Sequence, residues 1–378
     1  MNLITISLCM IVRNEENNIA RCLDSVSDLV DEINIVDTGS TDRTKEVVSA
    51  YTDRIFDFEW IDDFAAARNF SFRHATKEYI LWLDADDFLL DKDREAFRSL
   101  KATLNPFYDS VLMDYAVSRD AYGNTLLFTR RNRLVKRSQQ FRWVYPVHEV
   151  LLVGGNLLIS EIEITHGPNR EKKDPKRNLK IIEKHSEPEH NIEDSRYHYY
   201  YANELMDTGQ LEEAIVLYES FLLRDEAYFE DQVTACGYLA HCYRTKGEHK
   251  RELHYLFRTF EFDLPRADYC CRIGLWYQER QDYDKAVYWY ETALRHEIPK
   301  HVFGLMNKSC WTWAPHVQLM ICYGKLALLE KAYEHNLKAL DYLKGDGNLL
   351  QNKKQLEEAM RMPINTRPDS SDGFGKKN

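Results

Sequence analysis

The 378-residue chain carries 50 basic and 61 acidic residues, a formal net charge of −11, with 44% hydrophobic and 29% charged residues. This balance excludes wholesale disorder, a collagen-like repeat and a disulfide-stapled miniprotein, and at ~150 residues per domain the length suggests two or three domains. The acidic surplus argues against duplex nucleic acid as the main partner, because neutralising phosphates takes concentrated Lys and Arg.

The first apolar run, Leu3 to Val12, is rich in β-branched residues and ends in Arg13-Asn14-Glu15-Glu16. It lacks the leading positive charges and small-residue cleavage site of a signal peptide, so Ile4–Val12 reads as a first strand. Glu16 to Ser27 shows the helical period, with Ile19, Cys22, Leu23 and Val26 on one face and Arg21 and Asp24 on the other. Further strands are expected at Ile33–Asp37, Arg54–Phe58 and Tyr79–Asp84, separated by amphipathic segments. That alternation predicts a parallel sheet covered by helices over roughly the first 165 residues.

Two of these strands run directly into acids. Leu81-Trp82-Leu83 leads to Asp84-Ala85-Asp86-Asp87, and Ile35-Val36 leads to Asp37-Thr38-Gly39-Ser40-Thr41-Asp42. In open α/β sheets the C-terminal strand edge is where ligands bind, and two acids one residue apart can serve a hydroxyl and a hard divalent cation. A turn that only caps the next helix is the plainer account of each; Asp42, Ser40 and Thr41 suit that role. Phe64-Ala65-Ala66-Ala67-Arg68-Asn69 places a cation after a run of small residues. Val147-His148-Glu149 and Thr165-His166-Gly167 supply a carboxylate suited to a general base and a histidine suited to a metal. Two basic runs, Arg130 to Arg137 and Arg170 to Lys180, are of the kind that usually marks solvated surface, the second also suiting a loop that closes over an anion.

From Tyr197 to about Leu343 strand signals stop, and a small residue followed five positions later by alanine recurs at Gly209/Ala214, Gln281/Ala286 and Ala327/Ala332, with Gly247/Glu252 a weaker copy. The spacings scatter about the ~34 residues of a tetratricopeptide unit, which the stretch around Gly274-Leu275-Trp276-Tyr277 and Tyr283-Asp284-Lys285-Ala286 resembles. Stacked helix pairs of that kind bind extended peptides or a second copy of themselves. Tyr197, Tyr199, Tyr200 and Tyr201 read as helix-packing residues rather than a sugar platform. The eight cysteines lie inside apolar patterns without CxxC or zinc spacing, which suggests reduced core thiols and a cytoplasmic setting. No stretch reaches the ~20 apolar residues of a membrane helix. Pro363 to Asn378 has the composition of a disordered tail.

Taken in order, the segment Cys9 to Glu16, Asp37 with Ser40-Thr41-Asp42, Arg68, and Asp84-Ala85-Asp86 resemble the motifs of family 2 inverting glycosyltransferases of the GT-A fold. The resemblance implies an α/β, Rossmann-like, mainly parallel catalytic domain over residues 1–180. A linker helix over 181–196, an all-α tetratricopeptide-like solenoid over 197–345, and a C-terminal helix and tail over 346–378 complete the expected organisation. It implies that Arg13, Asp37 and Arg68 contact a nucleotide sugar, Asp84 its ribose, and Asp86 with His166 a Mn²⁺ or Mg²⁺ on the diphosphate. Glu149 is the expected base, Asp87 the reserve, and His148, Lys173 and Arg177 possible supports. Gln139-Gln140-Phe141-Arg142-Trp143 spells the QxxRW of processive members, which carry membrane helices; without these, transfer of one sugar to a soluble acceptor is expected.

The pairing with helical repeats is similar to peptide S-glycosyltransferases of the sublancin type. It implies transfer of a hexose from a UDP-sugar to a Cys or Ser of a peptide, with a possible homodimer. A glycan, lipid-linked or small-molecule acceptor is the alternative, and a non-catalytic repeat scaffold the third reading.

Overall fold

A computed structural model describes residues 3–167, 174–185, 194–224, 226–300 and 302–361. The chain divides into two compact units, Met1–Val117 with Thr129–Leu217, and Ser118–Phe128 with Tyr218–Asn378.

The first unit opens β1 (Ile6–Val12), α1 (Ile19–Val26), β2 (Glu32–Asp37), α2 (Thr44–Val48), β3 (Ile55–Asp57), α3 (Phe64–Arg73), β4 (Tyr79–Trp82). It continues with β5 (Asp87–Leu89), α4 (Asp91–Thr103), β6 (Ser110–Arg119) and β7 (Thr125–Lys136), whose hairpin tip belongs to the second unit. Then come β8 (Arg142–Val144), β9 (Val150–Leu152), β10 (Leu157–His166), α5 (Arg177–Lys184) and α6 (Ser195–Asp207). The sheet order is β3-β2-β1-β4-β7-β6-β10-β5. Strands β3, β2, β1 and β4 are parallel, as the βαβα order requires, with Val12 opposite Asp37 and Cys9 opposite Trp82. Beyond β4 the sheet is mixed: β7 is antiparallel to β4, β10 parallel to β6, and β5 antiparallel to β10. The sheet is therefore mostly parallel, and its parallel half delivers Arg13, Asp37 and Asp84 to one edge.

Strand β1 is buried nearly throughout, as a central parallel strand covered on both faces must be. Ile6, Leu8, Met10, Leu23, Ile35, Leu81 and Phe97 share one core. Cys9, Trp82 and Trp143 form a second on the other face, and the smaller two-stranded sheet β8–β9 contributes Trp143 and Leu151 to it.

The helical part starts with α6 and α7 (Leu211–Phe221), which is shared between the units. The second unit holds α8 (Phe229–Thr245), α9 (His249–Phe262), α10 (Ala267–Glu279), α11 (Tyr283–Arg295), α12 (Trp313–Lys325), α13 (Leu329–Tyr342) and α14 (Gly347–Arg361). A two-residue strand, β11 (Met306–Asn307), pairs with Leu127 and Phe128 of the hairpin tip. The recurrent small residue has a conformational cause. Gly209, Gly247, Gln281 and Ala327 are the left-handed turn residues between helix partners, with φ of +84°, +74°, +61° and +58°. Five residues later Ala214, Glu252, Ala286 and Ala332 are all buried, where the second helix packs on the first. All eight cysteines are free, and seven are buried. Among the described residues, no helix is long and apolar enough to cross a membrane. The expected tail, 363–378, lies outside the described residues.

An L-residue in the left-handed region costs on the order of 1 kcal/mol that glycine avoids, partly offset by glycine's freer unfolded chain. Gln281→Gly should therefore stabilise the second unit by about 0.5 kcal/mol, read as a higher urea midpoint; a lower one would mean that the Gln281 side chain does more than turn the chain.

The same unit contains facing histidines, His316 Nδ1 and His335 Nδ1 at 2.9 Å. Burial, with His335 adding to it, lowers the His316 pKa from 6.5 to about 4. A depressed histidine contributes stability above its unfolded pKa, and that contribution fades as pH falls from 6.5 through 4. His316→Gln should flatten the pH dependence of thermal unfolding between those limits; an unchanged slope would assign it to other groups.

Candidate active site

The site builds up where β1, β2 and β4 end. Asp37, 2% exposed at the end of β2, accepts hydrogen bonds on Oδ2 from Gly39 N (3.1 Å) and Ser40 N (3.0 Å). Lys45 Nζ lies 3.7 Å from the same oxygen. Gly39 takes φ +97°, the turn that brings these amides back onto the carboxylate. Asp37 Oδ1 is buried without a hydrogen bond, a polar atom facing inward at the edge where a ligand group would sit. Ser40 Oγ accepts from Asn14 N, and Asp42 accepts from the amides of Thr44 and Glu16. Ser40 and Asp42 thus brace the loop after β1; the expected capping by Ser40 and Thr41 does not occur, since the N-cap of α2 is Arg43, without a side-chain cap. Arg13, on that loop, is exposed.

The acidic turn after β4 folds on itself: Asp84 N donates to Asp87 Oδ2 and Asp87 N to Asp84 O, each at 3.0 Å. Beneath it lies Arg133, 1% exposed, whose NH1 is 3.0 Å from Asp87 Oδ2. Its guanidinium is held between the rings of Trp82 (3.9 Å to the centroid) and Tyr115 (4.6 Å). The run from Arg130 to Arg137 is therefore not simply solvated surface: Arg130 and Arg133 point inward, to Asp114 and Asp87, because β7 is an interior strand. Arg133 and Tyr115 escaped the sequence reading; an arginine alternating with Leu134 and Val135 in a strand is the only signal there was.

Asp86, Asp87 and His166 form the one group of metal-ligand type found among the described residues, with donor atoms all within 4.8 Å of one another. His166 Nδ1 is 3.7 Å from Asp86 Oδ1, 3.8 Å from Asp87 Oδ1 and 2.8 Å from the Tyr115 hydroxyl. Its imidazole pKa is raised by Asp87 foremost, against burial, with Asp86 and Asp84 adding. Pairing of β10 with β5 sets His166 opposite Asp87. Gly167 follows because nothing larger fits: a Cβ there would lie 1.9 Å from the Arg21 guanidinium and 2.8 Å from Asp86 O, which already accepts from Gly167 N.

Arg68 joins the two halves of the site. Helix α3, capped by Asp63 Oδ1 on Ala66 N, carries its side chain between the rings of Trp82 and Trp143, at 5.0 and 4.9 Å. There NH2 donates to Asp84 Oδ1 (2.8 Å) and Nε to Glu149 Oε1 (2.7 Å). These two acids, against burial, raise the Arg68 pKa further. Trp143 of the QxxRW coincidence is thus an aromatic wall for Arg68. His148 turns away from Arg68, its Nε2 2.6 Å from Glu204 Oε1. Arg177, exposed, lies over the Phe64 ring at 5.0 Å. Lys173, and with it Arg170 and Lys172, lies outside the described residues. Among the tyrosines, Tyr199 is buried as expected, whereas Tyr200 stacks on His148 at 4.4 Å and so borders the site.

Residues 7–149 match the model of Glycosyl transferase family 2, and this part of the chain is a domain of that family. Over 146 residues the chain is 36% identical to a TPR repeat-containing protein of Synechococcus elongatus, covering 39% of this chain and 35% of that protein. Over 148 residues it is 30% identical to the SPbeta prophage-derived glycosyltransferase SunS of Bacillus subtilis, covering 38% and 34%. The chain thus spans about a third of the length of these relatives. Among solved structures, the TPR protein YrrB aligns over 52% of this chain and 89% of its own, with 16% identity and a TM-score of 0.38. Glucosyl-3-phosphoglycerate synthase of Mycobacterium tuberculosis aligns over 30% and 44%, with 22% identity and a TM-score of 0.26.

Removing Arg133 would leave the Asp87 charge buried and uncompensated, which costs about 3–5 kcal/mol in such pairs. Urea unfolding of Arg133→Ala, followed by the fluorescence of Trp82 and Trp143, should show a loss of that order; under about 1 kcal/mol would mean that water reaches Asp87.

Proposed function

We propose that this chain is a metal-dependent inverting glycosyltransferase that moves one hexose from a UDP-sugar to a Cys or Ser side chain of a peptide. The observation that carries this reading is the chain of charge Asp84–Arg68–Glu149 beside the Asp86, Asp87 and His166 cluster. Within this cluster Asp87 Oδ1 is buried without a hydrogen bond. Oxygen donors with one imidazole fit Mn²⁺ or Mg²⁺. Asp86, Asp87 and His166 are the residues to hold it. Bound there, the ion would offset the negative charge that develops on the nucleoside diphosphate as it leaves.

The rest of the reaction falls to the chain's own side chains. Asp37, with its inward Oδ1, suits the base or ribose edge of the nucleotide, Asp84 the ribose, and exposed Arg13 and Arg177 the phosphates. Arg68 works through Asp84 and Glu149, fixing their separation. Glu149 is then the base: Arg68 engages Oε1, and Oε2 takes the acceptor's proton on the face opposite the leaving group, which gives inversion. A carboxylate is a weak base, better matched to a thiol of pKa ~8.5 than to a serine hydroxyl, which favours cysteine as the acceptor. Support for a peptide acceptor comes from the resemblance to peptide S-glycosyltransferases and from helix pairs of the type that bind extended chains.

The test is mass-spectrometric detection of transfer from a panel of UDP-sugars, with Mn²⁺, Mg²⁺ or EDTA, to Cys peptides, Ser peptides and glycans. Glu149→Gln should lower kcat by roughly 10²–10⁴-fold while UDP binding persists. Asp86→Asn should abolish the metal dependence of UDP binding. Full activity in both variants would refute this assignment of the site, and transfer to glycans alone would refute the peptide acceptor.

A further inference from the structure

Glu149 closes a short segment whose backbone is under strain. Tyr145 has φ +71° and His148 φ +51°, two left-handed non-glycine residues within four positions. Each costs on the order of 1–3 kcal/mol and persists only where surrounding structure imposes it. Here one helix, α6, imposes it. Its N-cap residue Asp194 accepts from the Tyr145 hydroxyl on Oδ2 (2.7 Å). Arg196 NH2 donates to the His148 carbonyl (3.4 Å) and to the Tyr200 hydroxyl (3.0 Å). The Tyr200 ring lies 18° from parallel on the His148 imidazole. Glu204 Oε1 completes the hold, 2.6 Å from His148 Nε2 and accepting from Asn178 Nδ2 at 3.1 Å.

Glu204 is 5% exposed, an unusual place for an acid unless it is bound from both sides. Burial works to raise its pKa, yet the hydrogen bonds from His148 and Asn178 lower it, so the carboxylate is charged. The next residue after His148 is Glu149, so the held His148 backbone fixes where Glu149 starts, and from there its carboxylate meets Arg68 Nε at 2.7 Å.

We infer that Glu204 is a positioning residue for Glu149: by gripping His148 it holds the strained segment in the one backbone form that sets the Glu149 carboxylate on Arg68 and toward the acceptor. Glu204 touches no reacting atom. The inference rests on Glu149 being the base, and it makes α6 part of the transferase machinery.

Glu204→Ala and Glu204→Gln, made in the full chain, test it by three readouts. The alanine variant should lose about 10–100-fold in kcat, as a misplaced reacting group does, with donor KM and UDP affinity unchanged. Amide hydrogen exchange over 145–149 should rise about tenfold while β1 and β4 keep their protection. The glutamine variant should recover most of both, since its amide oxygen still accepts from His148. Should Glu204→Ala unfold α6, Tyr200→Leu, which removes the ring stacked on His148 together with the hydroxyl that accepts from Arg196, carries the same expectations. Exchange equal to the parent's, or raised uniformly across the sheet, would overturn the inference. If the parent chain transfers no sugar from any donor, the proposed function fails by its own assay, while exchange over 145–149 still decides whether Glu204 holds the segment.

Discussion

Everything else in the site hangs on the Arg68 guanidinium. Two carboxylates from distant parts of the chain, Asp84 and Glu149, meet on two different nitrogens of one side chain, whose faces are closed by Trp82 and Trp143. A planar fork holds two acids at a fixed separation more firmly than an ammonium does, because its donors have fixed directions. With water excluded from both faces, the attraction is strong enough to pin the acidic turn and the segment at Glu149 to one another. Breaking it would leave two acids near the same place with nothing between them.

That arrangement was half legible in the sequence. Asp37, Asp84 and Asp86 stand directly after apolar strands, and the rule that ligands bind at such edges groups them from the sequence alone. Arg68 was visible as a cation after three alanines, but not what it joins, since residue 149 lies far along the chain and its position depends on β8, β9 and the strained turn between them. Arg133 was hidden for a different reason. Arginines at 130, 131 and 133 read as a charge run, and only the place of β7 between β4 and β6 shows that two of them face the interior.

The helical region was legible in the same uneven way. Recurrence of a small residue and a buried alanine follows from local geometry, a left-handed turn and a close helix contact, and both are properties of a few neighbouring residues. Gln281 and Ala327 obscure the pattern because they occupy the turn without being glycine, tolerating a cost of about 1 kcal/mol that the packed helices on either side outweigh. Glu252 breaks it at the other position and shows why: its carboxylate, though buried, meets the Arg244 guanidinium at 2.9 Å and His249 Nδ1 at 3.1 Å, so here an acid replaces the small residue with a cation and a hydrogen-bond partner beside it.

Helix α6 is where these two kinds of order meet. Its sequence reads as the start of a helical repeat, and Gly209 after it makes the same turn as the later copies, yet Asp194, Arg196, Tyr200 and Glu204 all turn toward the segment before Glu149. Within the first unit the helix therefore does for Glu149 what Arg133 does for Asp87: a buried charge from another element fixes an acid, or the residue beside it, at a cost in desolvation that a purely structural contact would not carry. Both buried charges lie one contact behind an acid of the site. Apolar packing would stabilise the fold as well; what charges add is direction, and a cluster of acids at a strand edge is where direction matters most.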